Sequence, residues 1–336
     1  MKFSVVVPAY NCKGRLEAAL RSIRSGSFSD YELIVVDDCS SDGTAIFAAE
    51  QADTVIALTE HRGPAFARNR GAEKAVGEYI VWTDSDVVWP ADLLSRTAAL
   101  IDANPGCTGV SAWSGGEPLN GGFAAEFTML QENFFLDEYL KSRNGRRFGF
   151  VTTRCGAVKR DLFFAAGMFD ERYLTPGIED YEFSLRFRRF GDFIYLPDSG
   201  VRHRWPASTL NIASRLFRNS YLWSNTIKDA ARFEDAVTTR GRALANVAGA
   251  LFFLSLPACA LGPWFAAAPL FFALAGFYLN RKIFMYFMSR KGLFFALGGA
   301  ALLMALAPVV SAGAAYGIIM RGRGCKLYEF KTQSGS

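Results

Sequence analysis

The chain has 336 residues with 37 basic and 32 acidic side chains, and these charges are distributed unevenly. Residues 1–235 hold 31 of the acids and 27 of the bases, whereas residues 236–336 hold ten bases and one acid, Glu329. This asymmetry, with a mean hydropathy of +0.12, argues against a single soluble domain and favours a soluble part followed by a membrane part. It also argues against nucleic-acid binding, because long apolar runs separate the bases.

The cysteine and histidine content limits the kinds of metal site. The six cysteines form no CxxC pair and show no regular spacing, so we expect neither a zinc site nor a disulfide framework. We expect the protein to work in a reducing compartment. The two histidines, His61 and His203, exclude a His-rich metal cluster but leave room for one histidine ligand beside carboxylates. The apolar run Phe3–Val7 is too short for a signal peptide, so the soluble part is expected to stay in the cytoplasm.

The first part of the chain has the pattern of an α/β fold. Two short apolar runs, Phe3–Val7 and Leu33–Val36, flank a stretch in which apolar residues recur at helical spacing, which predicts a β-α-β unit. A helix over 65–76 and a strand over 79–83 extend the alternation. The pattern predicts a mostly parallel sheet flanked by helices, in which ligands bind at the carboxyl ends of the strands.

Polar segments follow three of the predicted strands: Pro8–Asn11, Asp37–Gly43 and Asp84–Asp86. Two carboxylates spaced as in the last segment can face one divalent cation, and Mg²⁺ and Mn²⁺ prefer oxygen ligands. A D-x-D turn alone is common in surface loops. It gains weight here from two further carboxylate pairs, Asp37-Asp38 at an earlier strand end and Glu179-Asp180 much later in the chain.

The last third of the chain is predicted to associate with a membrane. Segment 211–242 mixes basic and aromatic residues and is predicted to be a basic amphipathic interfacial segment, with a solvated helix face as the alternative. Residues 243–280 carry no charge and are interrupted at Gly262-Pro263, which predicts a helical hairpin. Residues 281–291 are basic at both ends, as expected of an interfacial stretch. The predicted membrane region 243–320 closes with a third hydrophobic segment, 292–320, before a basic tail, 321–336.

The third hydrophobic segment leaves the topology open. Its 29 uncharged residues suit either one long tilted helix or two half-length segments split near Pro308. The positive-inside rule places both of its basic flanks in the cytoplasm, which needs an even number of crossings after Lys291. Burial of these apolar runs in a soluble core is the alternative, and the absence of acids between 236 and 328 argues against it.

Five motifs, in order, resemble the family 2 inverting glycosyltransferases: Ser4–Asn11, Val35–Thr44, Gly63–Gly71, Asp84–Asp86 and Gly167–Glu171. Glu179-Asp180, Leu185-Arg186, Pro197 and His203 agree with the same family. The resemblance covers residues 3 to about 205. It implies a GT-A, Rossmann-like catalytic domain over 1–210, followed by interfacial helices and C-terminal transmembrane helices.

The resemblance implies donor-binding roles for residues at the strand ends. Pro8 and Tyr10 would border the nucleotide base. Asp38 would hydrogen-bond the base, and Asp37 would support the turn. Arg68 would lie near the diphosphate of the nucleotide sugar.

The resemblance also implies a cation site and a catalytic base. Asp84 and Asp86 would bind the sugar nucleotide through a divalent cation, Mn²⁺ or Mg²⁺, with Asp86 the more direct ligand. His203 matches a position that completes the metal shell in some members, and a packed or interfacial histidine is the alternative. Asp180 matches the catalytic base, with Glu179 beside it. Without the resemblance, the pair would be interpreted as two acids at the solvated start of a helix, where the helix dipole favours negative charge.

Three positions depart from family patterns. Position 39 is Cys where Gly is usual, and position 61 is His where Asn is usual. Arg204-Trp205 is similar to the end of the Q-x-x-R-W signature of processive polysaccharide synthases, but position 201 is Val. This favours transfer of a single sugar over polymerisation.

These residue types suit a single displacement at the anomeric carbon of a sugar. A cation offsets the charge on the leaving diphosphate, and a carboxylate accepts the proton of the acceptor hydroxyl. We therefore expect a membrane-anchored, inverting enzyme at the cytoplasmic face of the inner membrane. It would transfer one sugar from a nucleotide-diphosphate donor to a hydroxyl of a lipid-linked or cell-envelope glycan acceptor, with membrane lipids and no nucleic acid as further partners.

Two alternatives stay open at this point. The first is a polyprenyl-phosphate glycosyltransferase, whose acceptor is already an anion and needs a base less. The second is an inactive membrane scaffold that binds nucleotide sugar without turnover, and the retention of every expected carboxylate argues against it.

Overall fold

The computed structural model describes residues 1–142, 147–226 and 239–322. They fall into two units, one formed by Met1–Asn120 with Ser142–Arg204, the other by Gly121–Lys141 with the chain from Trp205 onward. The predicted domain boundaries at 210, 242 and 320 stay predictions. Residues 227–238 of the predicted interfacial segment, and the predicted tail after residue 322, lie outside the described residues.

The strands are β1 (Phe3–Ala9), β2 (Tyr31–Asp37), β3 (Thr54–Ala57), β4 (Tyr79–Trp82), β5 (Val87–Val88), β6 (Gly109–Ala112), β7 (Arg147–Phe148), β8 (Gly156–Lys159), β9 (Phe193–Leu196) and β10 (Arg202–His203). Eight of them form one sheet in the order β3-β2-β1-β4-β8-β6-β9-β7, and β5 pairs with β10 apart from it. The pairs β3/β2, β2/β1, β1/β4 and β6/β9 are parallel, and the other three are antiparallel. The predicted mostly parallel α/β sheet is confirmed.

The helices are α1 (Lys13–Arg24), α2 (Thr44–Ala49), α3 (Pro64–Lys74), α4 (Leu93–Asp102), α5 (Phe123–Ser142), α6 (Arg160–Ala165), α7 (Glu179–Phe187), α8 (Thr209–Thr226), α9 (Arg240–Ser255), α10 (Ala267–Lys291) and α11 (Leu293–Gly322). The first four, with α6 and α7, belong to the first unit. There α1 buries Leu16, Leu20 and Ile23, the apolar residues whose spacing predicts it.

The central strands are buried on both faces. On one face, Val5 and Val7 of β1 and Leu33 and Val35 of β2 are inaccessible to solvent and share one core cluster. Val6 and Ile34, on the other face, are also inaccessible, as expected of parallel strands covered by helices. The parallel register sets Ala9 beside Asp37. Two of the polar segments predicted to carry function therefore start at the same edge of the sheet.

The C-terminal helices of the second unit are long and apolar. α9 and α10 are separated by short 3₁₀ turns over Leu256–Leu261 and Pro263–Ala266, with Gly262 between them at a φ of 146°. α10 continues through the predicted interfacial stretch 281–291. α11 is one helix with Pro308 inside it, rather than two half-length segments. Three segments are long and apolar enough to cross a membrane: Arg240–Leu261, Pro263–Lys291 and Leu293–Gly322.

Candidate active site

The turn after β4 and the short sheet β5/β10 assemble a possible cation site. Asp84 and Asp86 lie in the turn, and the antiparallel register pairs His203 with Val87, the residue after Asp86. His203 Nε2 lies 3.5 Å from Oδ1 of Asp86. One ligand atom from each of Asp84, Asp86 and His203 lies within 4.8 Å of the others. Two carboxylates and an imidazole at this separation fit a divalent cation such as Mn²⁺ or Mg²⁺.

The two carboxylates of this cluster differ electrostatically. Burial raises the pKa of Asp84, although the Arg68 guanidinium opposes the effect. Burial would also raise the pKa of Asp86, but the hydrogen bond and charge of His203 outweigh it, so this pKa is lowered. Asp86 is therefore the carboxylate of the pair that is more readily ionised.

Arg68 lies beneath the cluster, on α3. Its side chain is 3% exposed, and Nη2 donates to Oδ1 of Asp84 at 2.7 Å while Nη1 donates to Oε1 of Glu179 at 2.8 Å. Burial would lower the pKa of Arg68, but the charges of the two carboxylates raise it. One buried cation thus joins the D-x-D turn to the start of α7. Its expected place near the diphosphate stays a prediction.

Glu179 and Asp180 open α7 but have different surroundings. Glu179 is buried, and its Oε2 accepts a hydrogen bond from the Gly177 N–H at 2.8 Å. Asp180 is partly exposed, and its Oδ2 accepts from the Thr153 N–H at 3.4 Å. Burial and the charge of Glu179 raise the pKa of Asp180 to about 7, against the opposing charges of Arg68 and Arg154. A carboxylate with this pKa is suited to general-base work near neutral pH.

Asp38 organises the loop that leads into α3. Its Oδ1 accepts from the Arg62 N–H at 2.8 Å, and its Oδ2 accepts from the Gly63 N–H at 2.7 Å and lies 2.9 Å from Nδ1 of His61. The sequence motif predicts contact of this carboxylate with a nucleotide base. In the structure its oxygens bond the 61–63 loop, and the contact with a base stays a prediction.

The other predicted donor-binding residues lie around the ends of β1 and β2. Pro8 pairs with Val36 in the parallel register. Asp37 Oδ2 accepts from the Ser40 N–H at 3.1 Å, a bond that supports the turn. Tyr10 is half exposed, and its ring stacks on His61 with the centroids 4.0 Å apart. This leaves an accessible aromatic surface at the strand end.

The structure also explains one of the departures from the family pattern. Cys39 has a φ of 65°, a left-handed conformation that favours glycine, the residue usual at this position. The turn keeps this conformation although Cys replaces Gly.

Sequence reasoning missed three contributors to the site. His61 contacts both Tyr10 and Asp38. In the sequence, it was noted only because His stands where Asn is usual. Arg154 influences Asp180 electrostatically, and its guanidinium donates to Ser114 Oγ at 2.7 Å. The Thr153 N–H reaches Asp180 from a loop without a motif. Only His61, beside a known motif, carried any signal that could have found it.

Two motifs that are about 100 residues apart are joined behind the site. Asn69 Nδ2 donates to the Phe169 carbonyl at 2.9 Å, and its Oδ1 accepts from the Phe169 N–H at 3.1 Å. Asn69 follows Arg68 on α3. The Gly167–Glu171 loop is therefore held against the helix that carries the central arginine.

A mostly parallel α/β sheet with a D-x-D turn at a strand end, joined through Arg68 to a helix that carries an aspartate of raised pKa, is typical of glycosyltransferases with the GT-A fold. Residues 4–164, slightly less than half of the chain, match Glycosyl transferase family 2. The matched residues include the first four strands of the sheet and the D-x-D turn.

The curated relatives include enzymes of cell-envelope glycan synthesis. The amylovoran biosynthesis glycosyltransferase AmsB of Erwinia amylovora is 28% identical over 204 residues, which cover 57% of this chain and 65% of the relative. The UDP-Glc:alpha-D-GlcNAc-diphosphoundecaprenol beta-1,3-glucosyltransferase WfgD of Escherichia coli is 33% identical over 104 residues, or 30% of this chain and 41% of the relative. The chain thus spans less than two thirds of the length of either relative.

A solved structure shares the fold over most of the chain. The mannosyltransferase PcManGT from Pyrobaculum calidifontis, in complex with GDP-Man and Mn²⁺, superposes with a TM-score of 0.57 at 20% identity. The match covers 94% of this chain and 87% of that one. At this identity the likeness establishes the GT-A fold alone.

Proposed function

We propose that the protein is a membrane-anchored inverting glycosyltransferase that transfers one sugar from a nucleotide-diphosphate donor to a hydroxyl of a lipid-linked or cell-envelope glycan. The observation that carries the proposal is the convergence of Asp84, Asp86 and His203 with a near-neutral Asp180 around the buried Arg68. These groups supply the two requirements of the reaction, stabilisation of a leaving anion and removal of a proton.

On the donor side, Asp84, Asp86 and His203 would hold Mn²⁺ or Mg²⁺. Such a cation, when bound, offsets the charge that develops on the departing diphosphate. Arg68 holds Asp84 from behind and so orients one of the proposed ligands. The exposed ring of Tyr10 offers a stacking surface for the nucleotide base.

On the acceptor side, Asp180 would remove the proton of the attacking hydroxyl. Its raised pKa makes it a stronger base than an ordinary aspartate, while about half of its population is still ionised at neutral pH. Glu179 is bonded to Arg68 and Gly177 and serves as the neighbouring charge rather than as a second base. One displacement, with the hydroxyl opposite the leaving diphosphate, inverts the anomeric centre.

The nature of the acceptor is supported by the relatives and by the C-terminal helices. WfgD is named for a diphosphoundecaprenol-linked acceptor and AmsB for amylovoran biosynthesis. Three apolar helices able to cross a membrane suit an enzyme that works at a bilayer. We place the catalytic domain on the cytoplasmic side of the inner membrane, where nucleotide sugars are available.

The test is transfer of radiolabelled sugar from nucleotide donors by membranes that contain the protein, with Mn²⁺ or Mg²⁺ present. Asp180→Asn should lower the rate by about 10²- to 10⁴-fold, the usual contribution of a general base. Asp92→Asn removes an exposed carboxylate at the start of α4 and serves as the matched control, with an unchanged rate. Full activity of Asp180→Asn would remove the base assignment.

The same assay separates the two acceptor classes. After mild acid, label that is still joined to a further sugar shows a glycoside made on a hydroxyl, as proposed. Release of the label as a free monosaccharide would instead show a sugar phosphodiester and would identify a polyprenyl-phosphate glycosyltransferase. The raised pKa of Asp180 favours the hydroxyl, because an anionic acceptor has no proton to lose.

A further inference from the structure

We propose that α11 does not cross the membrane but lies along its surface, and that only the hairpin of α9 and α10 enters the bilayer. The segment after Arg321 then stays on the same side as the glycosyltransferase domain. The inference rests on the membrane anchoring proposed above. It follows from where the two ends of α11 are attached.

The helices α5 and α8 are too polar to cross a bilayer. α5 carries four acids: Glu126, Glu132, Asp137 and Glu138. α8 carries two arginines and three asparagines: Arg215, Arg218, Asn211, Asn219 and Asn225. A charged side chain at the centre of a bilayer costs about 2.5–3.5 kcal/mol or more. An ion pair between Arg215 and Glu132 joins the two helices, so they lie on one side of the membrane.

Both ends of the α9–α10 hairpin are attached to α5. Arg242, near the start of α9, places its guanidinium 3.4 Å from the centroid of the Phe135 ring. On α10, Nζ of Lys282 lies 3.0 Å from a carboxylate oxygen of Glu138. These basic ends therefore lie on the α5 side. Trp264, in the turn between the helices, is 90% exposed and is therefore accessible to lipid.

The two ends of α11 are also attached on that side. At its start, Lys291 of the preceding helix lies 3.0 Å from Glu126, and Phe295 packs on Phe123 with the ring centroids 5.0 Å apart. At its end, Arg321 Nη1 donates to the Ser224 carbonyl of α8 at 3.2 Å. Since α5 and α8 share one side of the membrane, α11 begins and ends there.

The middle of α11 meets the hairpin close to its basic end. Ser311 Oγ donates to the Asn246 carbonyl of α9 at 3.2 Å. A Cβ at Gly249 would overlap the Cβ of Ala307. Asn246 and Gly249 lie within about two turns of Arg242. As α11 runs from Ala307 to Ser311, its contacts on α9 shift from Gly249 back to Asn246, towards the basic end of the hairpin. A third membrane crossing antiparallel to α10 would shift the contacts away from that end.

The outer face of α11 suits the boundary between lipid headgroups and acyl chains. Phe294, Leu297, Ile318 and Ile319 are exposed. The sequence from 236 to 322 contains no acid, and bases stand at both ends of the helix. Bases that flank an apolar surface match an anionic leaflet, because a basic residue near the membrane surface is attracted with about 1 kcal/mol. The partner of this surface is therefore the bilayer itself.

This arrangement satisfies the positive-inside rule without a further crossing. The bases at the end of α10 and at Arg321 both lie on the side of α5. A third crossing would place Arg321 and Arg323 on the opposite side. The charge pattern requires an even number of membrane crossings after Lys291, and this arrangement has none.

Native cysteines allow a direct test in a bacterial host. Cys12, Cys107 and Cys155 are buried, whereas Cys39 in the glycosyltransferase domain and Cys259 in the hairpin turn are exposed. Cys39→Ser/Cys259→Ser retains Cys325 as the reporter of the segment after α11. Cys259→Ser/Cys325→Ser retains Cys39 as the matched reference. No membrane crossing separates Cys39 from α5, because α5 is continuous with the first unit at both of its ends.

Each variant is treated with a membrane-impermeant maleimide before and after permeabilisation of the cells. We expect Cys325 to behave as Cys39 does, with labelling that appears only on permeabilisation. Labelling of Cys325 in intact cells that leave Cys39 unlabelled would overturn the inference. Recovery of the protein in the soluble fraction after carbonate washing would instead overturn the membrane anchoring on which it rests.

A fusion of the unaltered chain provides a measurement that needs no cysteine substitution. Alkaline phosphatase attached after Ser336 should be inactive, because its disulfides do not form in the cytoplasm. Green fluorescent protein at the same place should fluoresce. Active phosphatase at this position would contradict the proposed topology.

Discussion

Arg68 links the two halves of the candidate site through a single guanidinium. Its two bonds, to Asp84 and to Glu179, run to elements that are far apart in the sequence. Arginine suits this position because its planar fork donates in two directions at once, whereas lysine presents a point charge. The same burial makes the residue sensitive to substitution, because removal of one partner leaves buried charge uncompensated.

We predict that Arg68→Met will destabilise the protein by about 3–5 kcal/mol, the cost of leaving buried carboxylates without their cation. Arg68→Lys should retain part of this stability but lose one of the two bonds, with a lower rate of transfer. Thermal unfolding of the detergent-solubilised protein measures the first effect. Arg70→Met is the matched control on the same helix, because Arg70 is partly exposed and its pairs should contribute about 0–1 kcal/mol. Equal effects of the two methionine variants would contradict this account.

The raised pKa of Asp180 predicts the pH dependence of the reaction. A general base works when unprotonated, so kcat/KM should rise with pH through an apparent pKa of about 7 and fall as pH drops below it. Glu179→Gln removes a neighbouring negative charge and should move this acid limb to lower pH. Glu182→Gln, on the same helix but paired with Arg186, should leave it in place. An unmoved limb in Glu179→Gln would argue against Asp180 as the group that titrates.

At the scale of single elements, the position of α3 determines where Arg68 lies. The helix passes over β1 and β2 at Gly71, where a Cβ would overlap Cγ1 of Val6 and lie 3.1 Å from Cγ2 of Val36. The sheet side chains leave no room there. A glycine inside a helix is otherwise unfavourable, so close packing explains its presence.

We predict that Gly71→Ala will destabilise the protein by about 1–3 kcal/mol, as expected of overpacking in a core. It should also lower transfer activity, because a shift of α3 moves Arg68. Gly14→Ala, in α1, is the matched control: nothing lies within 4 Å of its added Cβ. That substitution should be neutral or stabilise by up to about 1 kcal/mol. Thermal unfolding of both variants makes the comparison, and equal stability would contradict the close approach.

On the scale of the whole molecule, the part of the chain that holds nearly all the acids has a buried core, whereas the basic part exposes apolar surface. The first unit carries a core of β-branched and aromatic residues closed off from solvent. α9, α10 and α11 leave most of their apolar surface exposed, with Leu270 and Leu274 of α10 each at 61%. An exposed apolar surface of this extent needs a partner, and lipid is the partner that the flanking bases favour.

We predict that Leu270→Arg/Leu274→Arg will reduce retention of the protein in washed membranes. An arginine near the bilayer centre costs about 2.5–3.5 kcal/mol. Ile46→Arg/Val76→Arg is the matched control, because these residues are equally exposed on the first unit, and retention should not change. Fractionation with quantitative immunoblotting is the measurement. Loss of retention in both double variants would point to misfolding rather than to lost lipid contact.

Local pattern was enough to predict the central part of the fold. Strands such as Phe3–Ala9 are apolar on both faces, and parallel neighbours bring their ends together whatever the loops do. The carboxylates of the D-x-D turn could be placed at the sheet edge for this reason. Their third partner, His203, could be placed only by resemblance to a family, because no spacing rule connects residues 86 and 203.

The environments of the site residues were beyond the reach of the sequence. A motif showed that Arg68 was of interest, yet its two carboxylate partners depend on where α7 packs. For Asp180, the sequence shows the adjacent charge of Glu179, which raises the pKa. Burial, the largest cause, and the opposing charges of Arg68 and Arg154 depend on the fold. Burial and the distances between charges are set when the chain folds, so the sequence pattern does not determine them.

The amino-acid sequence alone shows which segments are apolar, where charges are excluded and which carboxylates follow strands, since all three depend on residues close together in the chain. The remaining features come from packing in the folded chain. This packing joined Arg68 to Asp84 and Glu179, and it made the segment after Lys291 one helix attached at both ends to polar helices. Those outcomes depend on packing between distant segments, whose energies no local pattern contains.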